Sequence, residues 1–293
     1  MPLRWIALLS LLAAPVAAAP PEATAPSAPP PPPVLRLCTG APGGTYQRVG
    51  KRIQELLAGK IAVEIVKTNG SWDNLEALHS PDGPCDAGLA QEDAQLLHAF
   101  ERPAGAPAVD RVATLYSEHV HLVCNRAVSA QHVGELDPKK DQVLVAPYGS
   151  GTYITWSLFQ KLAPELARLP FAEAPVAEAL LKVVDGLTAR CVLIVNKPNR
   201  GMVALAERGF GGKLKLLSVR HPQFHRKLQG LDRPVYRDVP LAQQLYPSML
   251  TQDGVTQAVD AVFFLRPAWK AAHSEASAAL TRALLKVVGE WGD

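Results

Sequence analysis

The chain has 293 residues, of which 48% are hydrophobic, and it carries 30 Lys and Arg against 27 Asp and Glu. A chain of this length and composition can bury a core and corresponds to about two lobes or domains. Its net charge of +3 is small and its sequence has no Lys/Arg-rich run, which disfavours a nucleic-acid partner and favours a small molecule.

The first 33 residues predict export rather than a folded element. Residues 1–19 combine Arg4, an apolar run from Trp5 to Ala14 and a cluster of small residues, which is the pattern of a cleavable secretory signal peptide. Residues 20–33 are rich in proline and alanine and predict an extended tether. The apolar run is shorter than the ~20 residues that a membrane helix needs. We therefore expect a soluble mature protein in the periplasm.

The chain has four cysteines, Cys38, Cys85, Cys124 and Cys191. An oxidising compartment allows disulfides, and the spacings match no zinc pattern. Each cysteine also lies in or beside an apolar run, where buried free thiols are common. Disulfides and free thiols therefore both stay open, and the spacing does not define a pairing.

Strand and helix patterns alternate after the tether. Strands are predicted over 34–38, 61–66, 87–91, 112–124, 142–146, 191–195, 214–219 and 255–265. Helices are predicted over 45–57, 153–166, 176–184, 200–208 and 274–291, with shorter helices after Ser71 and Gln91. This order predicts parallel strands with helical crossovers. It divides into two similar lobes, with lobe 1 over 34–123 and 256–293 and lobe 2 over 124–255.

Each lobe opens with a strand, a glycine-rich turn and a helix. The turns are GAPGGT at 40–45 and YGSGT at 148–152. Ligands of parallel sheets bind beyond the carboxyl ends of the strands, where helix N-termini offer unpaired N–H groups and positive dipole ends. Neither turn has the Gly-Lys-Ser/Thr end of a P-loop or the pattern of a dinucleotide site. One such turn is explained by a tight chain reversal alone, whereas two in matching positions favour an anion held between two helix N-termini.

Other candidate sites are weaker. His119, His121 and Cys124 could ligate a metal, but alternating histidines in an apolar strand are more typical of packing, so we expect no metal site. The second turn lacks the GxSxG pattern of a serine hydrolase, and we expect no enzyme activity. Asp93 follows a strand, where the helix dipole explains an acid, and it is kept as a site candidate. Tyr148 could stack on a ligand.

Six segments together resemble one known family. They are CTGAPGGTYQRVG (38–50), GSWDNLEAL (70–78), DAGLAQEDA (86–94), LYSEHVHLV (115–123), VAPYGSGT (145–152) and VVDG (183–186). In this order and spacing they resemble the substrate-binding proteins of the TAXI type of TRAP transporter. The resemblance covers most of residues 35–186 and thins after Asn196.

The resemblance implies a type II periplasmic binding protein fold, with two α/β lobes joined by crossing strands and a cleft between them. The implied ligand is a small organic anion, such as glutamate or another amino acid, or a dicarboxylate. By position, the ligand-binding residues are Gly43, Gly44, Thr45, Tyr46, Ser71, Asn74 and Gln91 in lobe 1 and Ser150, Gly151 and Thr152 in lobe 2.

The implied partner is a multi-span TRAP-type membrane permease, and we expect a monomer without a cofactor. Three alternatives stay open. They are a phosphate- or oxyanion-binding protein, an orphan receptor that feeds a sensor, and a periplasmic enzyme on the same scaffold.

Overall fold

A ten-stranded mixed sheet organises the chain in a computed structural model that describes residues 31–101, 108–187, 189–227 and 233–292. The predicted signal peptide (1–19) lies outside the described residues, as does the predicted tether (20–33) apart from residues 31–33. None of the helices in the described ranges is long and apolar enough to cross a bilayer.

The strands and helices alternate largely as the sequence predicts. The strands are β1 (Val34–Cys38), β2 (Ala62–Val66), β3 (Ala87–Gln91), β4 (Asp110–Asn125), β5 (Val143–Val145), β6 (Phe171–Glu173), β7 (Cys191–Asn196), β8 (Leu214–Leu217), β9 (Arg237–Leu241) and β10 (Gly254–Leu265). The helices are α1 (Thr45–Leu57), α2 (Ser71–His79), α3 (Glu92–Glu101), α4 (Gly151–Leu162), α5 (Val176–Asp185), α6 (Gly201–Phe210), α7 (Pro267–Ala272) and α8 (Ser274–Trp291).

The sheet has a parallel part at each end and antiparallel strands between them. Its order is β2-β1-β3-β10-β4-β7-β5-β6, with β8 on β4 and β9 on β10. Strand β1 pairs in parallel with β2 and β3, and β5 pairs in parallel with β6 and β7. Each parallel pair is joined through helices, as the alternation of patterns predicts.

Two long strands run through both lobes. Strand β4 pairs with β10 from Asp110 to His119 and then with β7 from His119 to Cys124. Strand β10 also pairs with β3 of lobe 1 and with β9. The long strand patterns predicted over 112–124 and 255–265 are therefore the strands that cross between the lobes.

The core has one cluster in each lobe and one that spans both. In lobe 1, Ile53 of α1 and Leu284 of α8 pack with the sheet. In lobe 2, Leu180 of α5 and Val203 of α6 pack on the other end of the sheet. The spanning cluster includes Trp156, which is fully buried and so cannot stack on a ligand in the cleft. The cleft walls are therefore held from behind by packed side chains.

All four cysteines form disulfides. Cys38 at the end of β1 bonds to Cys85, and Cys124 of β4 bonds to Cys191, its register partner in β7. Each bond joins segments of neighbouring strands of the sheet. Cross-links of this kind typically stabilise a fold by about 2–4 kcal/mol.

Helix α4 differs most from its predicted bounds. It begins at Gly151 and ends at Leu162, followed by a 3₁₀ turn over Pro164–Arg168, whereas the pattern predicts a helix over 153–166. Pro164 explains the early end, because proline lacks an N–H and clashes with the preceding turn of a helix. The early start matters for function because it places Gly151 and Thr152 in the first turn.

Candidate ligand-binding cleft

A cavity of about 180 Å³ lies between the lobes, beyond the carboxyl ends of β1, β2, β3 and β7. The residues that line it are Gly40, Ala41, Gly44, Thr45, Tyr46, Asn69, Gly70, Ser71, Gln91, Glu118, Gly151, Thr152, Val195 and Asn196. Among these described residues, Glu118 is the one carboxylate and none is Lys, Arg or His. The lining is therefore built from backbone, hydroxyl and amide groups around a single acid.

Helix α1 presents its N-terminus to this cavity. Its N-cap residue is Gly44, no side chain caps it, and its first turn has no acidic residue. Gly43 forms the turn before it with a φ of +77°, which favours glycine, and donates its N–H to Gln47 Oε1 at 2.8 Å. An uncapped helix start without an acid offers N–H donors and the positive end of the dipole to an anion.

Helix α2 also starts at the cavity without a side-chain cap, and its N-cap is Gly70. Ser71 is buried, and its hydroxyl accepts a hydrogen bond from the Gln91 N–H at 3.1 Å. The Tyr46 hydroxyl lies 3.4 Å from the Ser71 hydroxyl. These contacts fix the first turns of α1 and α2 against the end of β3.

Helix α4 supplies the wall from lobe 2. Its N-cap Ser150 uses its own hydroxyl to accept from the Tyr153 N–H at 3.2 Å. Thr152 Oγ1 accepts from the Val195 N–H at 3.4 Å. Gly151 faces Gln91 so closely that a Cβ atom there would lie 2.0 Å from Gln91 Oε1. A larger residue at this position would require the Gln91 amide to move.

Direct contacts join the two walls. The Trp72 N–H of α2 donates to the Gly149 carbonyl at 3.2 Å. Thr45 Oγ1 donates to Asn196 Oδ1 at 3.4 Å. With the approach of Gly151 to Gln91, these contacts describe the closed arrangement of the cleft.

Glu118 lies at the back of the cavity on the crossing strand β4 and is 6% exposed. Its Oε2 accepts from Gln91 Nε2 at 2.8 Å. Burial raises the pKa of Glu118 from its ordinary value to about 7, against the smaller opposing effect of the Gln91 hydrogen bond. The cavity therefore contains an acid that titrates near neutral pH.

Seven of the twelve residues predicted from the sequence line the cavity. They are Gly44, Thr45, Tyr46, Ser71, Gln91, Gly151 and Thr152. Contact of these residues with a ligand stays a prediction. The other five, Gly43, Asn74, Asp93, Tyr148 and Ser150, lie outside this lining.

Four of those five support the walls or lie beside the cleft. Gly43 and Ser150 shape the turns before α1 and α4. Asn74 is buried, and its amide nitrogen donates to the Thr39 and Leu89 carbonyls at 2.6 Å each. Tyr148 is 59% exposed and borders a separate surface cavity beside Trp72.

Asp93 is fully buried behind the cleft. It accepts from Thr155 Oγ1 of α4 at 2.7 Å, from Tyr236 OH at 2.8 Å and from the Ala94 N–H at 2.8 Å. Burial is the largest effect on its pKa and raises it to about 6, while these hydrogen bonds oppose the rise. Asp93 thus ties α3 of lobe 1 to α4 of lobe 2.

The histidines of β4 have hydrogen-bonding roles. His121 is fully buried, its Nε2 lies 2.7 Å from Tyr246 OH, and its Nδ1 lies 3.3 Å from the Ile194 carbonyl. Burial lowers its pKa to about 3, so the ring is neutral. Cys124 is in a disulfide, and the described part of the chain contains no group of three or more side chains placed to hold a metal.

The sequence reasoning missed Glu118, Asn196, Asn69 and four small or apolar lining residues, Gly40, Ala41, Gly70 and Val195. A signal existed for two of them. Glu118 is a charge inside an otherwise apolar strand pattern, and Asn196 stands at the carboxyl end of a strand, where ligands of parallel sheets bind.

A basic surface adjoins the mouth of the cavity. Arg48, Lys197 and Arg200 line a neighbouring cavity of about 280 Å³ that shares Thr45 with the cleft. Arg48 donates to Thr45 Oγ1 at 3.2 Å. Cations beside a cleft raise the local concentration of anions and speed their entry.

Comparison with known proteins identifies the family. A model of the NMT1-like family matches residues 37–288, which include every residue of the cavity lining. The chain belongs to the NMT1-like family.

Solved structures similar to this NMT1-like protein share its fold at low sequence identity. The ligand-binding component of an ABC-type import system from Staphylococcus aureus, with zinc bound, has a TM-score of 0.52 and 16% identity over 87% of this chain and 73% of that chain. A putative periplasmic sulfonate-binding protein SsuA from Methylobacillus flagellatus KT has a TM-score of 0.51 and 14% identity over 87% and 68% of the two chains.

The periplasmic aliphatic sulphonate-binding protein SsuA from Escherichia coli has a TM-score of 0.50 and 12% identity over 88% of this chain and 73% of that chain. These similarities, together with the two lobes and crossing strands, confirm the periplasmic binding protein fold that the sequence predicts.

Proposed function

We propose that this NMT1-like protein is a periplasmic solute-binding protein that captures a small organic anion, such as an amino acid or a dicarboxylate, between its lobes. The observation that carries the proposal is the convergence of three helix N-termini, those of α1, α2 and α4, on one cavity between the lobes. Helix starts, hydroxyls and amides bind an anion without an arginine, through aligned dipoles and N–H donors.

Binding would act through closure of the lobes. A ligand that contacts both walls stabilises the closed arrangement by its differential affinity for that state. The contacts of Thr45 with Asn196 and of Trp72 with Gly149 would form as the cleft closes. The crossing strands β4 and β10 would carry the bending.

The protein would deliver its ligand to a membrane transporter. The motif set over 38–186 supports a TRAP-type permease of the TAXI kind as the partner. Export through the signal peptide at residues 1–19 would bring the protein to that partner as a monomer.

We propose binding without turnover of the ligand. Asp93, one candidate for acid–base chemistry, uses its carboxylate to join α3, α4 and Tyr236. Thr45 and Thr152, whose hydroxyls lie in the first turns of α1 and α4, contact Asn196 and Val195 rather than a general base.

A thermal-shift screen of the purified protein tests the ligand class. The probes are amino acids, dicarboxylates, sulfonates and inorganic phosphate. A ligand that binds only the folded protein should add ~2.7 kcal/mol to its stability at 100 times its dissociation constant. Stabilisation by phosphate with no effect of any organic acid would reject the organic-anion proposal, and slow conversion of the bound compound would reject binding without turnover.

Threonine variants test the site. Thr45→Ala and Thr152→Ala should each weaken binding of the strongest organic anion in the screen while leaving the fold intact. Thr281→Ala is the matched control, because Thr281 is exposed on α8 and its hydroxyl donates to the Ser277 carbonyl within the same helix. Unchanged affinity in both cleft variants would overturn the assignment of the two helix starts.

A deletion strain tests the partner. Loss of the gene should abolish uptake of the labelled ligand by whole cells if the protein serves a transporter. Unimpaired uptake with loss of a transcriptional response would instead assign the protein to a sensor.

A further inference from the structure

A second cavity lies between the lobes, beside the ligand-binding cleft. Its volume is about 280 Å³, and it shares Thr45 with the cleft. The other residues that line it are Arg48, Lys197, Arg200, Glu290 and Trp291. Three of these side chains are cationic, whereas the described lining of the cleft contains no Lys, Arg or His. This cation-rich cavity therefore differs chemically from the cleft that it adjoins.

Lobe 1 supplies one wall of the cation-rich cavity through α1 and the end of α8. The Cζ atom of Arg48 lies 5.9 Å from the centre of the Trp291 ring, and its guanidinium donates to Thr45 Oγ1 at 3.2 Å. Glu290 is the one acid in the described lining, and its two oxygens accept from Arg52 at 2.8 and 2.7 Å. Because the acid is paired with a cation outside the lining, the charge of the lining cations stays in excess.

Lobe 2 supplies the opposite wall through the turn between β7 and α6, which carries Lys197 and Arg200. Asn199 in this turn has a φ of +49°, a left-handed conformation that is uncommon for residues other than glycine. Its N–H donates to Tyr246 OH at 2.8 Å, and Tyr246 OH lies 2.7 Å from Nε2 of the buried His121. These contacts fix the backbone that carries the two cations against the core of lobe 2.

The two walls meet at the end of α8. Lys197 of lobe 2 donates to the Trp291 carbonyl, and its ammonium lies 5.5 Å from the centre of the Tyr116 ring on the crossing strand β4. Arg48 of lobe 1 contacts the ring of the same tryptophan. Closure of the lobes thus gathers like charges around one cavity, which costs electrostatic energy unless an anion enters with them.

Arg200 completes the set of donors. It is the N-cap residue of α6, and no hydrogen bond or ion pair engages its guanidinium within the described ranges. Two guanidinium groups, an ammonium and the Thr45 hydroxyl therefore border one small space. A carboxylate carries one charge and is matched by a single arginine fork, whereas a divalent tetrahedral oxyanion presents charged oxygens to several donors at once.

We propose that the cation-rich cavity binds a divalent tetrahedral oxyanion, with inorganic phosphate as its representative, between Arg48 of lobe 1 and Lys197 and Arg200 of lobe 2. The anion neutralises the cations that closure brings together, so it stabilises the closed arrangement without occupying the cleft. By linkage, the anion and a ligand that closes the cleft each raise the affinity for the other. This coupling rests on the proposed function, whereas the oxyanion site itself does not.

Calorimetry with inorganic phosphate tests the site. At pH 8 and constant ionic strength, the ligand-free protein should bind phosphate at least about tenfold more tightly than acetate. Arg200→Gln should weaken phosphate binding at least about tenfold, because it removes a charged donor. Arg208→Gln is the matched control, because Arg208 is an exposed arginine of the same helix outside the lining. This control variant should bind phosphate as the wild-type protein does.

Thr152→Ala separates the cation-rich cavity from the cleft, because Thr152 lines the cleft alone. This variant should bind phosphate normally. Phosphate binding that is lost in Thr152→Ala and kept in Arg200→Gln would place the anion in the cleft and overturn the inference. A wild-type protein that binds acetate as tightly as phosphate, or binds neither, would overturn it as well. Heat of binding is the readout, because phosphate at high concentration also stabilises proteins nonspecifically.

Small-angle scattering tests the coupling. Phosphate should reduce the radius of gyration of the ligand-free wild-type protein relative to acetate, and Arg200→Gln should abolish the reduction. Saturating phosphate should also raise the affinity for the strongest organic anion of the thermal-shift screen, in the wild-type protein and not in Arg200→Gln. A lower affinity in phosphate would show competition for one site and overturn the inference. Failure of every organic acid to bind would overturn the proposed function and leave the phosphate site standing.

Discussion

The two walls of the cleft differ in whether a side chain caps the helix N-termini that face the cavity. In lobe 1, the N-cap residues of α1 and α2 are Gly44 and Gly70, and no side chain caps either helix; the first turn of α2 contains Asp73, and its Trp72 N–H donates to the Gly149 carbonyl. In lobe 2, the N-cap residue of α4 is Ser150, whose hydroxyl accepts from the Tyr153 N–H. A capped helix has already satisfied one of its N–H donors, whereas α1, with neither a side-chain cap nor an acid in its first turn, keeps its donors for water or a ligand.

This difference indicates a division of labour between the lobes. Lobe 1 supplies the backbone donors that attract the anion, and Glu118 of the crossing strand β4 lies at the back of the cavity. Lobe 2 supplies the N-terminus of α4, which its own Ser150 caps. This helix closes over the ligand and adds the Thr152 hydroxyl. We expect affinity to depend more on the helix starts of lobe 1 and closure more on the fit of lobe 2.

The largest expected effect concerns the buried acid of β4. The pKa of Glu118 rises on folding from 4.5 to about 7, so the folded protein binds this proton more tightly than the unfolded chain does. The contribution is present below pH 4.5 and is lost as the pH rises through about 7, and on the order of 3 kcal/mol of stability is lost. Chemical denaturation of the ligand-free protein from pH 4.5 to 8 should show this loss, and Glu118→Gln should remove the part of it above pH 6, leaving the part due to Asp93, whose pKa rises to about 6. An identical pH profile in the variant would mean that Glu118 ionises freely.

The next effect concerns closure by lobe 2. Gly151→Ala would place a Cβ atom 2.0 Å from Gln91 Oε1 and 2.5 Å from its Cδ, so the closed arrangement becomes strained. Apparent affinity falls in proportion to the closed population, and we expect a loss of at least about tenfold. Binding measured by calorimetry checks this outcome.

Two further variants sharpen the closure test. Gly209→Ala is the control, since nothing lies within 4 Å of the Cβ that it adds in α6. The double variant Gly151→Ala with Gln91→Ala lacks the clashing amide. Its cleft should close more readily than that of Gly151→Ala alone, and small-angle scattering in the presence of ligand would record this as a more compact protein. Normal affinity in Gly151→Ala would mean that the walls do not meet here in solution.

A smaller effect is expected at the cap of α4. Ser150→Ala removes the hydroxyl that accepts from the Tyr153 N–H and should cost about 1 kcal/mol of stability. Affinity should change by less than roughly twofold, because Ser150 caps its own helix instead of lining the cavity. A large loss of affinity would support direct ligand contact by Ser150, as the family resemblance implies, and would remove the contrast between the lobes.

The smallest expected effect comes from giving lobe 1 the cap that lobe 2 has. Gly44 has an extended conformation with φ −69° and ψ 165°, so serine can occupy the N-cap of α1. Gly44→Ser should weaken anion binding by roughly threefold because its hydroxyl competes for a helix N–H. Gly44→Ala is the control, since both variants bring a Cβ to 3.0 Å from the Ala41 carbonyl oxygen. Equal affinities of the two variants would show that the α1 amides do not bind the ligand.

Periodicity and turn chemistry predicted much of the fold. Helix α8 has the predicted bounds of Ser274 and Trp291, because its apolar stripe is long and regular. The short strands β6 and β9 were missed. Strand β6 has three residues and is largely exposed, and β9 contains Pro240, so neither has the alternating pattern that marks a strand.

The site was predicted where local signals suffice and missed where the fold decides. The helix starts at Thr45 and Ser71 follow from glycines after strands, whereas α4 begins at Gly151, two residues before its predicted start. The pairing of Cys38 with Cys85 and of Cys124 with Cys191 depends on which strands become neighbours, and four cysteines allow three connectivities. The position of Glu118 in the cavity lining depends on how β4 crosses the sheet. Residue spacing alone does not tell which position of a strand faces a cavity.

The contact between Trp72 and Gly149 gives the protein an optical signal of its own. The indole ring of Trp72 lies 6.1 Å from the exposed ring of Tyr148 and is held at the junction of the two walls. Trp156, by contrast, is fully buried in the core. Intrinsic fluorescence at Trp72 should therefore follow the opening and closing of the cleft in real time, without an attached dye.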